Sequence, residues 1–356
     1  MTTVANRDGA LRAALVPAFT PRRWRRFVDR AGDPALLAAG DPRPLVRWLG
    51  IGRSEAATLA RELRRVDPAR ELDAAAAAGV AVHSWGQGGY PGPLRDLADP
   101  PPVVYLRGDL LDCDARAVAV VGSRRATPYG LRIARTLAAD LARSGVTIVA
   151  GLARGVDGAA HQSALEAGGR TLAVLGSGLL EPYPPEHVGL LEQVVGAGAV
   201  LSEFPLHAPP LARHFPRRNR LIAALAEAVV VVEATERSGA LGTVRHALDL
   251  GRTVLAVPGP VDQETSRGTL RMLYEGATPV GSAQDVFAAL GWCPVAVAKL
   301  PRSEREALEA LGEHGGAPRD VARATGMTEE VAAGLLVTLE VRGLVTRREG
   351  GRYEVR

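Results

Sequence analysis

Short apolar runs alternate with longer amphipathic stretches through the middle of the chain. AVAVV (117–121), VTIVA (146–150), TLAVL (171–175), AVLS (199–202), AVVVVE (228–233), TVLAV (253–257) and the segment near 278–280 have the length of strands. They are almost wholly apolar, as parallel strands covered on both faces must be. Between them lie helical patterns such as YGLRIARTLAADLARSG and GTVRHALDLGR. Strands alternating with helices predict an α/β fold with a doubly wound parallel sheet over residues 116–291.

The flanks read differently. Residues 8–70 carry helical patterns, including the basic stretch PRRWRRFVDR. PLVRWLGIGRSEAATLARELRR predicts two helices around a Gly50–Gly52 turn, which suits a helix-hairpin-helix or a plain αα-hairpin with a glycine cap. ELDAAAAAGVAVHSW predicts a helix leading into a strand. The Pro- and Gly-rich GQGGYPGPLRDLADPPPVVYLRGDL marks a boundary or an ordered extended segment. Beyond residue 300, three short helical patterns and LVTRREGGRYEVR predict a winged helix with a two-stranded wing. Glu329, Glu330 and Glu340 on its third helix favour a protein-contact or regulatory role over groove reading. The expected organisation is a helical SAM/helix-hairpin-helix-like domain (1–85), an extended Rossmann-like domain (86–291), a linker (292–300) and a winged helix (301–356).

Composition changes this picture little. The formal charge of the 356 residues is +4, but residues 1–70 hold 14 Arg against 7 Asp and Glu. Lys299 is the only lysine; arginine suits bidentate phosphate binding, though genome composition produces the same bias. Cys113 and Cys293 are far apart, and the seven histidines (83, 161, 187, 207, 214, 246 and 314) lack ligand spacing, so no disulfide framework, metal or cofactor is expected. No apolar run reaches about 18 residues and no signal segment is seen, so a cytoplasmic, non-membrane location is expected.

The candidate chemistry sits in the turns after the strands. Glycine turns leading into helices offer backbone N–H groups to anions along the carboxyl edge of the sheet. The first turn is Gly122-Ser123-Arg124-Arg125. The second is Gly151-Leu152-Ala153-Arg154-Gly155, with Asp157 as an expected N-cap and His161 expected to be packed or hydrogen-bonded. The third stretch, RHFPRRNRLIAAL, surrounds Phe215 and Asn219 with Arg213, Arg217, Arg218 and Arg220. Cations for a backbone and an aromatic for a base are what single-stranded nucleic acid requires. A bland reading has Phe215 packed under a loop and the arginines solvated. A fourth turn, Ser238-Gly239-Ala240-Leu241-Gly242-Thr243, adds hydroxyls and amides.

Together YPGPLRDLADPPPVVYLRG, VVGSRRATPYG, GLARGVDGAAH, VLGSGLLEPYPPEH, LSEFP, HFPRRNRLIAAL, ERSGALGTVRHAL and VPGPV resemble the DNA-processing protein A (DprA/Smf) family over about residues 90–276. The resemblance implies a non-catalytic, dimeric single-stranded DNA binder that loads the RecA recombinase during natural transformation. It carries Arg124 onto the family's GSR/GTR arginine, and Phe215, Arg217, Asn219 and Arg220 onto its F-P-x-R-N-R loop. Ser238 and Gly239 fall on its S-G-S-L-I-T turn, where this chain reads SGALGT. The rival is a LOG-type phosphoribohydrolase or a free-nucleotide binder using the same phosphate cradle. At the two positions where LOG-type enzymes carry glutamates this chain has Arg245 and His246, which removes the acid that N-glycosidic cleavage needs. Glu233 at the strand end is a nearby carboxylate, which the DprA resemblance implies is a structural part of the VVEA strand.

Overall fold

The computed structural model describes residues 2–292, 301–312, 315–341 and 344–355. Cys293, Lys299 and His314, and nearly all of the expected linker, lie outside the described residues. Met1–Gly291 and Trp292–Arg356 form two compact units.

The first unit begins with five helices: α1 (Thr2–Leu15), α2 (Pro21–Ala31), α3 (Pro42–Leu49), α4 (Arg53–Arg65) and α5 (Pro68–Ala77). Their starts are encoded locally. Thr20, Asp41 and Asp67 accept hydrogen bonds from first-turn amides, each just before a proline that needs no amide partner. Gly50 closes α3 in the left-handed conformation at φ 64°, and Gly52 precedes α4. The basic stretch is largely spent on neighbouring helix ends. Arg26 donates to Leu49 O at 2.7 Å and Arg30 to Arg47 O at 3.2 Å, both in the last turn of α3, while Arg23 donates to Ala18 O at 2.8 Å in the turn between α1 and α2. Orphan carbonyls at helix C-termini need such donors.

The sheet follows, with β1 (Ala81–Ser84), β2 (Val103–Gly108), β3 (Ala117–Val121), α6 (Pro128–Arg143), β4 (Thr147–Ala150), α7 (Val156–Glu166), β5 (Thr171–Val174), α8 (Val188–Ala197) and β6 (Ala199–Ser202). Then come α9 (His214–Ala224), β7 (Ala228–Val231), α10 (Ala240–Asp249), β8 (Thr253–Ala256), α11 (Arg267–Tyr274), β9 (Thr278–Pro279) and α12 (Ala283–Leu290). Among the described residues the strand order is β1-β2-β6-β5-β4-β3-β7-β8-β9. From β6 to β9 every pairing is parallel, while β1 and β2 add an antiparallel edge. The chain winds outward from β3 through β4 to β6, then returns to the other side of β3 as β7. The switch point therefore lies between β3 and β7, where ligands of open α/β sheets bind.

The structure departs from the expected 85/86 boundary. β1 lies before it and β2 after it, yet they pair from Ala81–Leu106 to Ser84–Val103. Trp24, Phe27 and Leu63 of the helices share one apolar cluster with Val103, Tyr105 and Val200 of the sheet. Glu71 of α5 accepts from the Leu206 amide at 2.9 Å. The helical segment and the sheet thus share a core.

One buried histidine gives a pH prediction. His161 of α7 is fully buried and donates from Nδ1 to Thr171 Oγ1 at 2.7 Å, whose own hydroxyl donates to Ile148 O. Burial, then the positive charge of neighbouring groups, pushes its pKa down to about 3. Below the unfolded histidine pKa of about 6.5 the unfolded chain takes up a proton that the fold refuses. Stability present above that pH is therefore lost as pH falls towards 3, by about 1.4 kcal/mol per pH unit from this group. Urea titrations between about pH 7 and 4.5 are expected to show a shallower loss in His161→Gln than in the parent. Equal slopes would contradict this reading.

In the second unit α13 (Arg302–Leu311), α14 (Pro318–Thr325) and α15 (Glu329–Val341) precede the antiparallel ribbon β10 (Val345–Arg347) and β11 (Tyr353–Val355). Leu308, Val321, Leu336, Val345 and Tyr353 form its core. This is the element order expected of a winged helix.

Candidate nucleic-acid interface

The turns after β3 and β4 interlock. Ser123 O accepts from Val156 N at 3.2 Å, and Ser123 Oγ accepts from Arg125 N at 3.1 Å. Gly155 takes φ 76°, and a Cβ there would run into Ser123 O, so only glycine closes this joint. Arg124 and Arg125 are left exposed at the tip.

The second turn is braced from within. Asp157 is not the N-cap; Gly155 precedes α7 and Asp157 sits in its first turn. Its Oδ2 accepts from Gly151 N at 2.9 Å and Ala153 N at 3.4 Å. The Gly151 amide, expected to face a phosphate, is thus already occupied. Burial pushes the Asp157 carboxyl up, opposed by the nearby Arg218 guanidinium and these amides. Leu152 is buried at φ 56°, a conformation costly for a residue with a Cβ, and its carbonyl accepts from His187 Nδ1 at 2.9 Å. Arg154 is exposed but paired with Glu186, with Nη2 to Oε2 at 3.0 Å, and lies 5.5 Å over the Tyr183 ring. The bond to Glu186 raises its pKa further.

The stretch expected as a loop is helical. His214–Ala224 forms α9, and its turns sort the basic residues. Arg217 and Arg220 both donate to Glu203 Oε2, at 2.8 and 2.7 Å, and Arg220 Nε lies 3.3 Å from Asp99. Arg217 also covers the Phe204 ring at 4.9 Å. Arg220 is 2% exposed. It anchors α9 rather than reaching a phosphate, which corrects the expectation for it. Arg218 is also buried and donates to Gly151 O at 2.7 Å and to Val174 O. Burial pushes its pKa down to about 10. Asn219 donates to Gly239 O at 3.1 Å, tying α9 to the fourth turn.

Phe215 is half-buried on the opposite side of the helix start. A Cβ at Gly176 would sit 2.7 Å from its ring, so glycine there lets the ring lie against the β5 turn. Tyr183 is tilted at 5.8 Å, and the Arg124 guanidinium covers the ring at 4.7 Å. In the fourth turn, Ser238 Oγ accepts from Ala240 N at 3.3 Å, Gly239 precedes α10, and Thr243 is buried.

A cleft of about 920 Å³ opens at the switch point. Gly122, Ser123, Arg124, Arg125, Phe215, Arg218, Asn219, Ser238, Gly239 and Thr243 line it. Gly151, Leu152, Arg154, Gly155, Arg217 and Arg220 are not part of its wall. Asp157, Tyr183, Thr235, Glu264 and Thr265 join it without having been singled out as ligand contacts. Glu264 and Thr265 arrive on the segment after β8, five and six residues beyond Gly259 of the VPGPV motif and outside any strand-to-helix glycine turn that reads as a phosphate site. Glu233 stays structural, accepting from Thr127 N at 2.8 Å.

Comparison with known proteins agrees with this geometry. The family model described as DNA recombination-mediator protein A matches residues 81–291. The DNA processing protein DprA of Bacillus subtilis is 35% identical, over 78% of this chain and 91% of its own length. The crystal structure of DNA processing protein A from Streptococcus pneumoniae superposes with a TM-score of 0.66 at 32% identity, over 79% of this chain and 95% of that one. The DNA processing protein A structure from Helicobacter pylori gives 0.53 at 29%, over 59% and 95%. With the matched segment spanning the sheet strands and every turn that lines the cleft, the chain belongs to the DNA recombination-mediator protein A (DprA/Smf) family.

Proposed function

We propose that the protein binds single-stranded DNA in the switch-point cleft and acts as a non-catalytic, dimeric recombination mediator that hands the strand to RecA in natural transformation. The observation that carries this reading is the pairing of exposed Arg124 and Arg125 with the half-buried Phe215 on one open wall. Guanidinium groups take phosphates, and an aromatic face takes a base of any sequence. Arg124 already stacks on the Phe215 ring, as a base would. The Helicobacter pylori relative has a described single-stranded DNA binding mode, which supports the same assignment. RecA loading and dimerisation rest on the family resemblance. The deciding experiment is a salt-titrated comparison of single-stranded and duplex oligonucleotides. A preference for single strands with a steep salt slope is expected, and equal or negligible binding of both overturns the reading.

The hydrolase reading requires a carboxylate free to act at a glycosidic bond. Asp157 is committed to two amides and Glu233 to Thr127, which leaves Glu264, exposed on the cleft wall, as the carboxylate that reading would need. Incubation with AMP is expected to release no adenine; stoichiometric or greater release would reinstate the enzyme.

A further inference from the structure

Arg124 and Arg125 line a second cavity as well as the cleft. It measures about 610 Å³ and lies on the other side of their turn, between α6, α7 and the start of α8. Arg135, one turn after Leu131 on α6, is exposed on its wall. Gly155, Gly158 and Ala159 form one low face of α7, with Gln162 a turn further on. Among the described residues the cavity's carboxylate is Glu186, and Arg154 already neutralises it. The groove thus offers three guanidinium groups, amide side chains and a floor without bulk. That is a surface for a polyanion rather than for an apolar ligand.

We infer that this groove is a second phosphate-binding subsite, into which a single strand bound in the cleft continues over the Arg124-Arg125 ridge. The inference rests on the proposed function and adds Arg135 as a contact, beside Gln162, whose Nε2 donates to Glu166 at 2.9 Å. The two arginines at the ridge would sit between consecutive phosphates, each guanidinium serving one or both cavities. A strand too short to cross the ridge would use the cleft alone. Arg135 therefore acts on length dependence, where a residue of the cleft acts on binding at every length.

The test uses the full chain with oligothymidylates of about 4 to about 16 nucleotides, titrated at several salt concentrations. The parent is expected to gain affinity with length. Arg135→Ala is expected to lose roughly tenfold for the long oligonucleotides, to keep the short-oligonucleotide affinity, and to lower the long-strand salt slope by about 0.7, the share of one phosphate. Gln162→Glu, nearly isosteric and placing a negative charge in the groove, is expected to reproduce the length-selective loss. Unchanged long-strand binding in both variants overturns the subsite, and so does an equal loss at every length. If the parent binds no oligonucleotide of any length, the functional reading fails together with it.

Discussion

Glu203→Ala is expected to destabilise the first unit by about 3–5 kcal/mol, the cost of stranding a buried charge. The Glu203 side chain is fully buried and Oε2 accepts from two guanidinium groups, of which that of Arg220 is itself buried. Removing the carboxylate leaves Arg220 with Asp99 at 3.3 Å, which is partly in water, and leaves Arg217 to the Phe204 ring. Urea unfolding reads the loss as a lower midpoint with an unchanged slope. A double replacement, Glu203→Leu with Arg220→Met, is expected to recover most of it, because an apolar pair of similar volume needs no compensation. A loss under about 1 kcal/mol in the single variant would mean that water reaches the cluster. DNA binding is expected to fall in Glu203→Ala as well, since α9 carries Phe215 and Asn219 into the cleft. That effect would shrink under conditions that keep the variant folded.

The roles of these arginines were not legible in the sequence, and the reason is helical period. HFPRRNR looks like one cationic patch when it is read as a loop. Wound into α9, Arg217 and Arg220 fall three apart and face Glu203, while Phe215, Arg218, Asn219 and Ile222 face the cleft. Pattern alone could have sorted them once the helix was granted. It could not have supplied Glu203, which arrives just after β6. The parallel strands were legible because burial on both faces leaves an unbroken apolar run. β2 was hidden by the prolines before it, and its partner β6 lies nearly a hundred residues on. Asp157 was read as a cap from its place after the glycine turn, but α7 already begins at Val156. Its real partners, the amides of Gly151 and Ala153, belong to a turn that folds back through Leu152 at positive φ, which no propensity signals.

Arg124→Ala tests the binding reading where Glu203→Ala tests the fold. Arg124 is exposed and its described interactions include stacking on Phe215, so its removal is expected to leave the unfolding midpoint nearly unchanged. A charge-assisted contact to a phosphate contributes about 1.5–3 kcal/mol, so affinity for oligonucleotides of any sequence is expected to fall roughly 10- to 150-fold. The salt slope is expected to drop by about 0.7. Phe215→Ala separates the base from the backbone. It is expected to cost about 1–3 kcal/mol of binding while leaving the salt slope in place, because stacking releases no counterions. The two losses are expected to be less than additive, since the Arg124 guanidinium and the ring lie 4.7 Å apart and share one surface. Arg220→Ala supplies the contrast. A phosphate ligand would show a changed salt slope at full stability, whereas a buried anchor shows a lower midpoint and an unaltered slope. If Arg220→Ala behaves as the ligand and Arg124→Ala as the bystander, the strand runs beneath α9 and not across the tips of β3 and β7.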